Sequence, residues 1–390
     1  MEGEHVGDSV PRITEIRTVP LQEPRRNVPL DTSRNDYTLL IVRTDAGLTG
    51  IGSSYTSTDL VRAALGRMRN LYIGEIAIEP QRVHEKLEQS GFWWGRGGTI
   101  THTISGIDIA LWDIFGQATG QPVSRLLGGI YRDRVKPYAS LSFGAHREHS
   151  GLVDALQQAM ARGFRAFKLG WGAFGRTGNP ADDERLVKTA RETVGELEIM
   201  IDPGGSQQFW PHGYKWALRT AEMLDDYGVV WFEEALPPDD LEGYKALREH
   251  ARVMISAGEV FTRRQSFVPF LEGGAWDIVQ PDCTKVGGLT EALHIAWMAY
   301  RHNILTVPHG WNTAIGVAAD MHLIAALPVG KWIEFHQPSA VIDDIVEEPF
   351  ALDGDGMLAV PTGPGLGIAL NWDGIERLSG GMASKAEQAG

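Results

Sequence analysis

Cysteine is nearly absent: Cys283 is the single one in 390 residues, so no intrachain disulfide can staple the chain, and a reducing cytoplasm suits it. Basic charge is short as well. Against 50 Asp and Glu stand 36 Lys and Arg, a formal net charge of −14, which argues against nucleic acid or an anionic membrane as partner. A small anionic substrate stays compatible, because a bound metal reverses the field locally. No stretch reaches the roughly 18 uninterrupted apolar residues that span a bilayer. Met1-Glu2-Gly3-Glu4-His5 has neither a basic n-region nor an apolar h-region, so no signal peptide is expected. What is there is the composition of a soluble globular protein, 43% apolar and 22% charged. The chain is long enough for two domains, one of them a barrel.

The first 135 residues read as an α+β capping domain. Tyr37 to Thr44 is β-branched and apolar, Asp45-Ala46-Gly47 makes a tight turn, and Leu48 to Ser54 returns as a second strand. Helical patterns follow at 58–72, 79–90 and 103–119, the last with Ile104, Ile107, Leu111 and Ile114 on one face and Gly120-Gln121-Pro122 as its stop. From Tyr138 the grammar changes to short apolar runs alternating with amphipathic helices, the mark of a parallel sheet. The expected strands are 138–143, 165–169, 197–201, 229–232, 253–256, 276–280, 304–307 and 332–335. At roughly 25–30 residues per unit they predict a TIM-type α/β barrel. Only seven helices fit between eight strands, so the expected fold is a (β/α)7β barrel over residues 136–337. A Pro/Gly-rich tail, 338–390, with Pro361, Gly363-Pro364-Gly365 and Gly367, is expected to return to the cap.

Barrels of this type carry their chemistry at the C-terminal ends of the strands. From the second strand to the eighth those ends offer Lys168, Asp202, Glu233, Glu259, Asp282, His309 and Glu334. One charge at a strand end is commonplace, but an ionisable group at seven in succession is not what solubility requires. Asp202, Glu233 and Glu259 come from adjacent strands, and clustered anions repel unless a cation sits among them. Oxygen ligands without Cys or His favour Mg²⁺ over Zn²⁺. Glu234 adjoins Glu233, but strand alternation lets one of the two point inward, and Glu233 is chosen. Asp282 on the strand beside His309 can fix the tautomer and raise the basicity of the ring, making His309 a general base where a lone histidine would more often be packed core. Lys168, opposite, is either a second acid or base or an ion-pair partner of the metal carboxylates. Glu334 either donates to an enolate oxygen while protonated or orients other groups. A metal, a lysine and a carboxylic acid together stabilise the dianion left when a proton alpha to a carboxylate departs.

These residues stand in an ordered set of motifs: Ser105-Gly106-Ile107-Asp108-Ile109-Ala110-Leu111-Trp112-Asp113, Leu126-Leu127-Gly128-Gly129, Trp231-Phe232-Glu233-Glu234, Ala257-Gly258-Glu259, Gln280-Pro281-Asp282, Lys285-Val286-Gly287-Gly288, Pro308-His309-Gly310-Trp311-Asn312-Thr313 and Pro364-Gly365-Leu366-Gly367. In them, over nearly its whole length, the chain resembles the enolase superfamily, specifically its mandelate racemase-like subgroup. The resemblance implies Asp202, Glu233 and Glu259 as Mg²⁺ ligands, Asp282–His309 as the dyad, Lys168 as the second-strand base and Glu334 as the eighth-strand acid. It implies cap loops around 22–28 and 52–56 that close over a small carboxylate substrate, and a homo-oligomer.

Three positions depart from the family pattern. Ala166 stands where a first Lys of Lys-x-Lys is frequent, Gly204 where an Asn is usual, and Ala235 where Pro is common. Without the neighbouring ammonium Lys168 is expected to be cationic. The first two departures favour a one-base reaction led by His309, the dehydration of an acid sugar to a 2-keto-3-deoxy acid. Racemisation, epimerisation or cycloisomerisation through the same intermediate is the alternative, a non-catalytic relative the remaining one. A metal-dependent hydrolase would want His ligands at the first strand, which offers none. Arg25, Arg26, Tyr55, His212 and His336 are polar candidates for a polyol chain.

Overall fold

A computed structural model describes residues 10–23, 37–143, 149–176, 179–204 and 213–383. Strands β1 (Ile13–Leu21), β2 (Tyr37–Thr44) and β3 (Thr49–Ser54) pair antiparallel in that order. The sequence pattern leaves β1 unread, because Glu15 and Arg17 interrupt its apolar alternation, and it is recognisable only by its ladder to β2. Helices α1 (Thr58–Tyr72), α2 (Pro80–Gly91), α3 (Thr99–Thr119) and the short α4 (Val123–Leu126) cover the sheet. Gly50 and Gly52 on β3 let α3 lie directly against the strand, since a Cβ at either would land on the carbonyl oxygen of Ala110 or Gly106.

Eight parallel strands follow, each joined to the next by one helix. They are β4 (Arg134–Ser142), α5 (His149–Ala161), β5 (Ala166–Gly170), α6 (Pro180–Val194), β6 (Glu198–Asp202), α7 (Tyr214–Asp226), β7 (Trp231–Glu233), α8 (Leu241–His250), β8 (Met254–Ala257), α9 (Arg264–Glu272), β9 (Ile278–Val279), α10 (Gly288–Arg301), β10 (Leu305–Thr306), α11 (Ala314–Ala325) and β11 (Trp332–Phe335). Hydrogen bonds link them in the order β10-β9-β8-β7-β6-β5-β4-β11, the expected (β/α)7β arrangement. The seam between β10 and β11 is bridged by the Gly310 N–H donating to Glu334 Oε2 at 2.9 Å. After β11, α12 (Ala340–Asp343), β12 (Leu358–Ala359) and α13 (Trp372–Leu378) bring the tail back: Leu366 N–H donates to Asp113 Oδ1 at 2.9 Å while Ile51 N–H donates to its Oδ2 at 3.0 Å. Among the described residues no helix is long and apolar enough to cross a membrane.

The barrel interior explains the strand ends. Tyr138, Ala166, Met200, Trp231, Ile278, Val307 and Trp332 form one inward-facing apolar cluster. Side chains alternate with period two, so the residues two further along face inward one layer higher. Lys168, Asp202, Glu233, His309 and Glu334 occupy that polar layer, with Asp282 four residues beyond Ile278.

A buried ion cluster fastens cap to barrel. Glu291 on α10 accepts from Arg264 Nη2 at 2.8 Å and pairs with His84 Nε2 of α2 at 3.1 Å. Burial alone would raise the Glu291 carboxyl, but His84 and Arg264 outweigh it and hold it at about 2. The His84 imidazole is raised from 6.5, because Glu291 and Asp108 overcome its own burial. Glu291→Gln is therefore expected to cost roughly 3–5 kcal/mol, as breaking a buried pair does. The carboxyl's contribution is complete above about pH 4.5 and fades as pH falls toward 2. That of His84 is complete below about pH 6.5 and fades as pH climbs through its raised value. Thermal unfolding from pH 3 to 9 should show the widest gap between wild type and variant near pH 5–6; a gap that does not change with pH contradicts the clasp.

Candidate active site

Lys168 is at the centre. Its Nζ lies 2.6 Å from Glu233 Oε1, 3.1 Å from Glu334 Oε1 and 3.4 Å from Asp202 Oδ2. Burial works against the ammonium, yet Glu233 and Glu334 outweigh it and its pKa rises well above the usual value. The first lysine of the Lys-x-Lys pattern is absent beside it. Ala166, in that lysine's place, packs in the apolar layer beneath.

The carboxylates are buried, with Glu259 at 9% exposure the least so. Burial, then Glu233 and Glu259, push Asp202 up to about 7 against the pull of Lys168. Burial also raises Glu233, whose Oε2 accepts from Trp231 Nε1 at 2.9 Å. Gly204 has φ +59°, and a Cβ there would stand 2.5 Å from the Trp171 ring. The tryptophan therefore fills the space that an asparagine would use.

Across the site His309 Nδ1 is 2.7 Å from Asp282 Oδ2, while Asp282 Oδ1 accepts from the Thr284 N–H at 2.7 Å and its hydroxyl at 2.6 Å. The carboxylate is thus locked in place and selects the tautomer of the ring. Nε2 faces the carboxylates, 3.2 Å from Glu259 Oε2 and 4.0 Å from Glu334 Oε2. Burial alone would lower the imidazole, but Glu259, the Asp282 hydrogen bond and Glu334 hold it at about 9. Glu334 sits beside Lys168, its Oε1 3.1 Å from Nζ and its Oε2 accepting from the Gly310 N–H at 2.9 Å. Burial raises its carboxyl, but Lys168, His309 and the Gly310 N–H bring it to about 2.

All seven strand-end residues expected from the sequence thus meet at one end of the barrel. Among the described residues, however, no three Asp, Glu, His or Cys side chains already stand at one-ion spacing. Asp202 and Glu233 flank the Lys168 ammonium, and Glu259 turns to His309. The donor chemistry nevertheless suits a hard divalent cation: three buried carboxylates, with Asp202 and Glu233 destabilised by the charge of their neighbours.

Sequence reasoning missed two residues. Glu234 is buried at the same cluster, where burial and then Glu259 and Asp202 push it well above the ordinary range. Its φ of +45° breaks the alternation on which the choice between the two glutamates rested. Glu23 of the cap accepts from Ser339 Oγ at 2.8 Å and from the backbone N–H groups of Ala340 at 2.9 Å and Val341 at 3.2 Å, pinning the root of the first cap loop beside β11. The second loop is held by Tyr55 N–H donating to Thr284 O at 3.3 Å and by Thr313 Oγ1 donating to Ser53 Oγ at 2.9 Å. Arg25, Arg26, His212 and residues 24–28 lie outside the described residues.

Residues 13–128 match the family model described as mandelate racemase/muconate lactonizing enzyme, N-terminal domain, and residues 151–374 match enolase C-terminal domain-like. The chain is 30% identical to D-galactarolactone cycloisomerase of Agrobacterium fabrum, over 93% of this chain and 98% of that one. It is likewise 30% identical to D-xylonate dehydratase of Haloferax volcanii, over 94% and 93%. Among solved structures, a racemase from Streptomyces coelicolor with bound magnesium superposes with a TM-score of 0.81 at 27% identity, covering 94% of this chain and 99% of that one.

Proposed function

The chain belongs to the mandelate racemase/muconate lactonizing enzyme family of the enolase superfamily, and on that premise we propose that it is a Mg²⁺-dependent acid-sugar dehydratase. In this reading residues 1–135 and 338–390 form the cap and residues 136–337 carry the reaction. The observation that carries the proposal is the Asp282–His309 dyad, with Nε2 aimed at the carboxylate cluster from the side opposite Lys168. Asp202, Glu233 and Glu259 would hold the cation. When bound, Mg²⁺ supplies positive charge that stabilises the negative charge developing on the substrate carboxylate.

The remaining steps belong to the chain's own side chains. Asp282 keeps one ring proton on Nδ1, and with a cation neutralising Glu259, whose charge does most to raise the imidazole, Nε2 would give up its proton and become the atom that takes the α-proton. Lys168, whose ammonium Glu233 and Glu334 favour, faces the same charge from the other side and stabilises it without a proton transfer. The imidazolium formed at His309 then donates its Nε2 proton to the β-hydroxyl, which leaves as water. The enol that remains tautomerises to a 2-keto-3-deoxy acid.

The relatives named as dehydratases support this chemistry, and the cycloisomerase relative supports a second reading in which the same proton abstraction ends in isomerisation. The two are separable by experiment. With Mg²⁺, a panel of aldonates, aldarates and their lactones should include one converted to a product that reacts as a keto acid. Exchange of the α-hydrogen in D₂O without any keto acid would move the assignment to isomerisation, and neither signal from any member would overturn both.

A further inference from the structure

At the barrel mouth between β11 and the cap, His336 lies two residues beyond Glu334, and Trp311 two residues beyond His309. Their rings stack, with centroids 3.8 Å apart and planes inclined by 31°. His336 Nδ1 lies 3.4 Å from the carbonyl oxygen of Ser140. A carbonyl can only accept, so Nδ1 carries the hydrogen and Nε2 keeps its lone pair. Among the described residues Nε2 has no partner, and it is not one of the buried orphaned atoms. The atom is therefore not fully buried. Burial pushes the imidazole below its ordinary value, which keeps the ring neutral. The ring feels the charges of Glu334 and Glu23 and, with opposite sign, that of Arg162. Trp311 leaves 36% of its surface exposed beside it.

Building on the dehydratase reading, we propose that His336 and Trp311 form the subsite for the polyol chain of the substrate. His336 Nε2 accepts a hydrogen bond from a hydroxyl remote from the reacting carbons, and the indole packs against the C–H face of the same chain. The ligand class is a polyhydroxylated carboxylate and not an aryl or alkyl acid. Such an acid would desolvate the lone pair without supplying a donor, and a site built to bond a hydroxyl rejects analogues that lack it. His336 is a positioning residue for the chain, with no part in proton transfer at the α-carbon.

The test uses the full-length protein with Mg²⁺ and ¹⁵N-labelled histidine, the His336 signals being assigned by their loss in His336→Phe. The expected spectrum has a hydrogen on Nδ1 and an unprotonated Nε2. Galactarate or D-gluconate should shift Nε2, whereas adipate, of the same length as galactarate but without hydroxyls, should not. For any acid that the wild type turns over, His336→Phe should raise KM about 10–100-fold with far less change in kcat. His336→Gln, which retains an acceptor, should recover part of the loss. An Nε2 signal that no polyhydroxylated acid moves, or one that adipate moves equally, overturns the subsite. So does an unchanged KM in the Phe variant. Failure of the dehydratase reading shows separately, as absence of keto acid while the Nε2 shift persists.

Discussion

His309→Asn is expected to lower turnover by about 10²–10⁴-fold, the range for losing a general acid–base group. The upper end applies if one imidazole both takes the α-proton and returns it to the leaving hydroxyl. The geometry predicts a clean separation of functions. His309 is bonded through Nδ1 to Asp282 and approaches Glu259 only through Nε2, so its removal leaves in place the three carboxylates proposed to hold the cation. The rise in melting temperature on adding Mg²⁺ should therefore survive in the variant. Turnover retained within tenfold of wild type would remove His309 from the role of base. Loss of the Mg²⁺ response would make it a ligand instead. Asp282→Asn should give a related but distinct defect, because the amide can offer Nδ1 a donor and so favour the wrong tautomer.

Lys168→Met is the second large effect, and it separates electrostatics from catalysis. The ammonium is shared by Glu233, Glu334 and Asp202 in a fully buried site. Deleting it leaves those carboxylates facing one another without a cation, a change that costs about 3–5 kcal/mol when a buried charge loses its partner. Thermal unfolding without divalent ions should show this loss. Mg²⁺ should restore more stability to the variant than it adds to the wild type, because it then neutralises charge that no ammonium shares. A variant as stable as wild type would mean that the carboxylates are protonated and the cluster needs no cation. Activity should fall in either case, so the stability measurement decides what Lys168 does.

How far these residues could be read from the chain depended on the kind of pattern involved. Lys168, Asp202, Glu233, His309 and Glu334 were legible because each lies two residues beyond an inward apolar side chain, and period-two alternation is a property of the backbone alone. The seven interstrand helices were legible for the same reason, their periodicity being local. β1 was not, since its Glu15 and Arg17 find each other in a half-buried ion pair at 2.8 Å that only the folded sheet explains. β9 and β10 keep just two laddered residues apiece, shorter than the expected 276–280 and 304–307.

The order of apolar and polar residues by itself determined an eight-stranded parallel barrel, a cap, and which ionisable groups point into the mouth. Tertiary structure decided what those groups do to one another. It gave Glu234 a left-handed φ, set Lys168 3.1 Å from Glu334, and aimed His309 at Glu259. It also tied Glu23 to Ser339, Ala340 and Val341 and stacked Trp311 on His336. The reason is physical: alternation is set by neighbours along one strand, whereas charge state and orientation depend on distances between strands that are far apart in sequence.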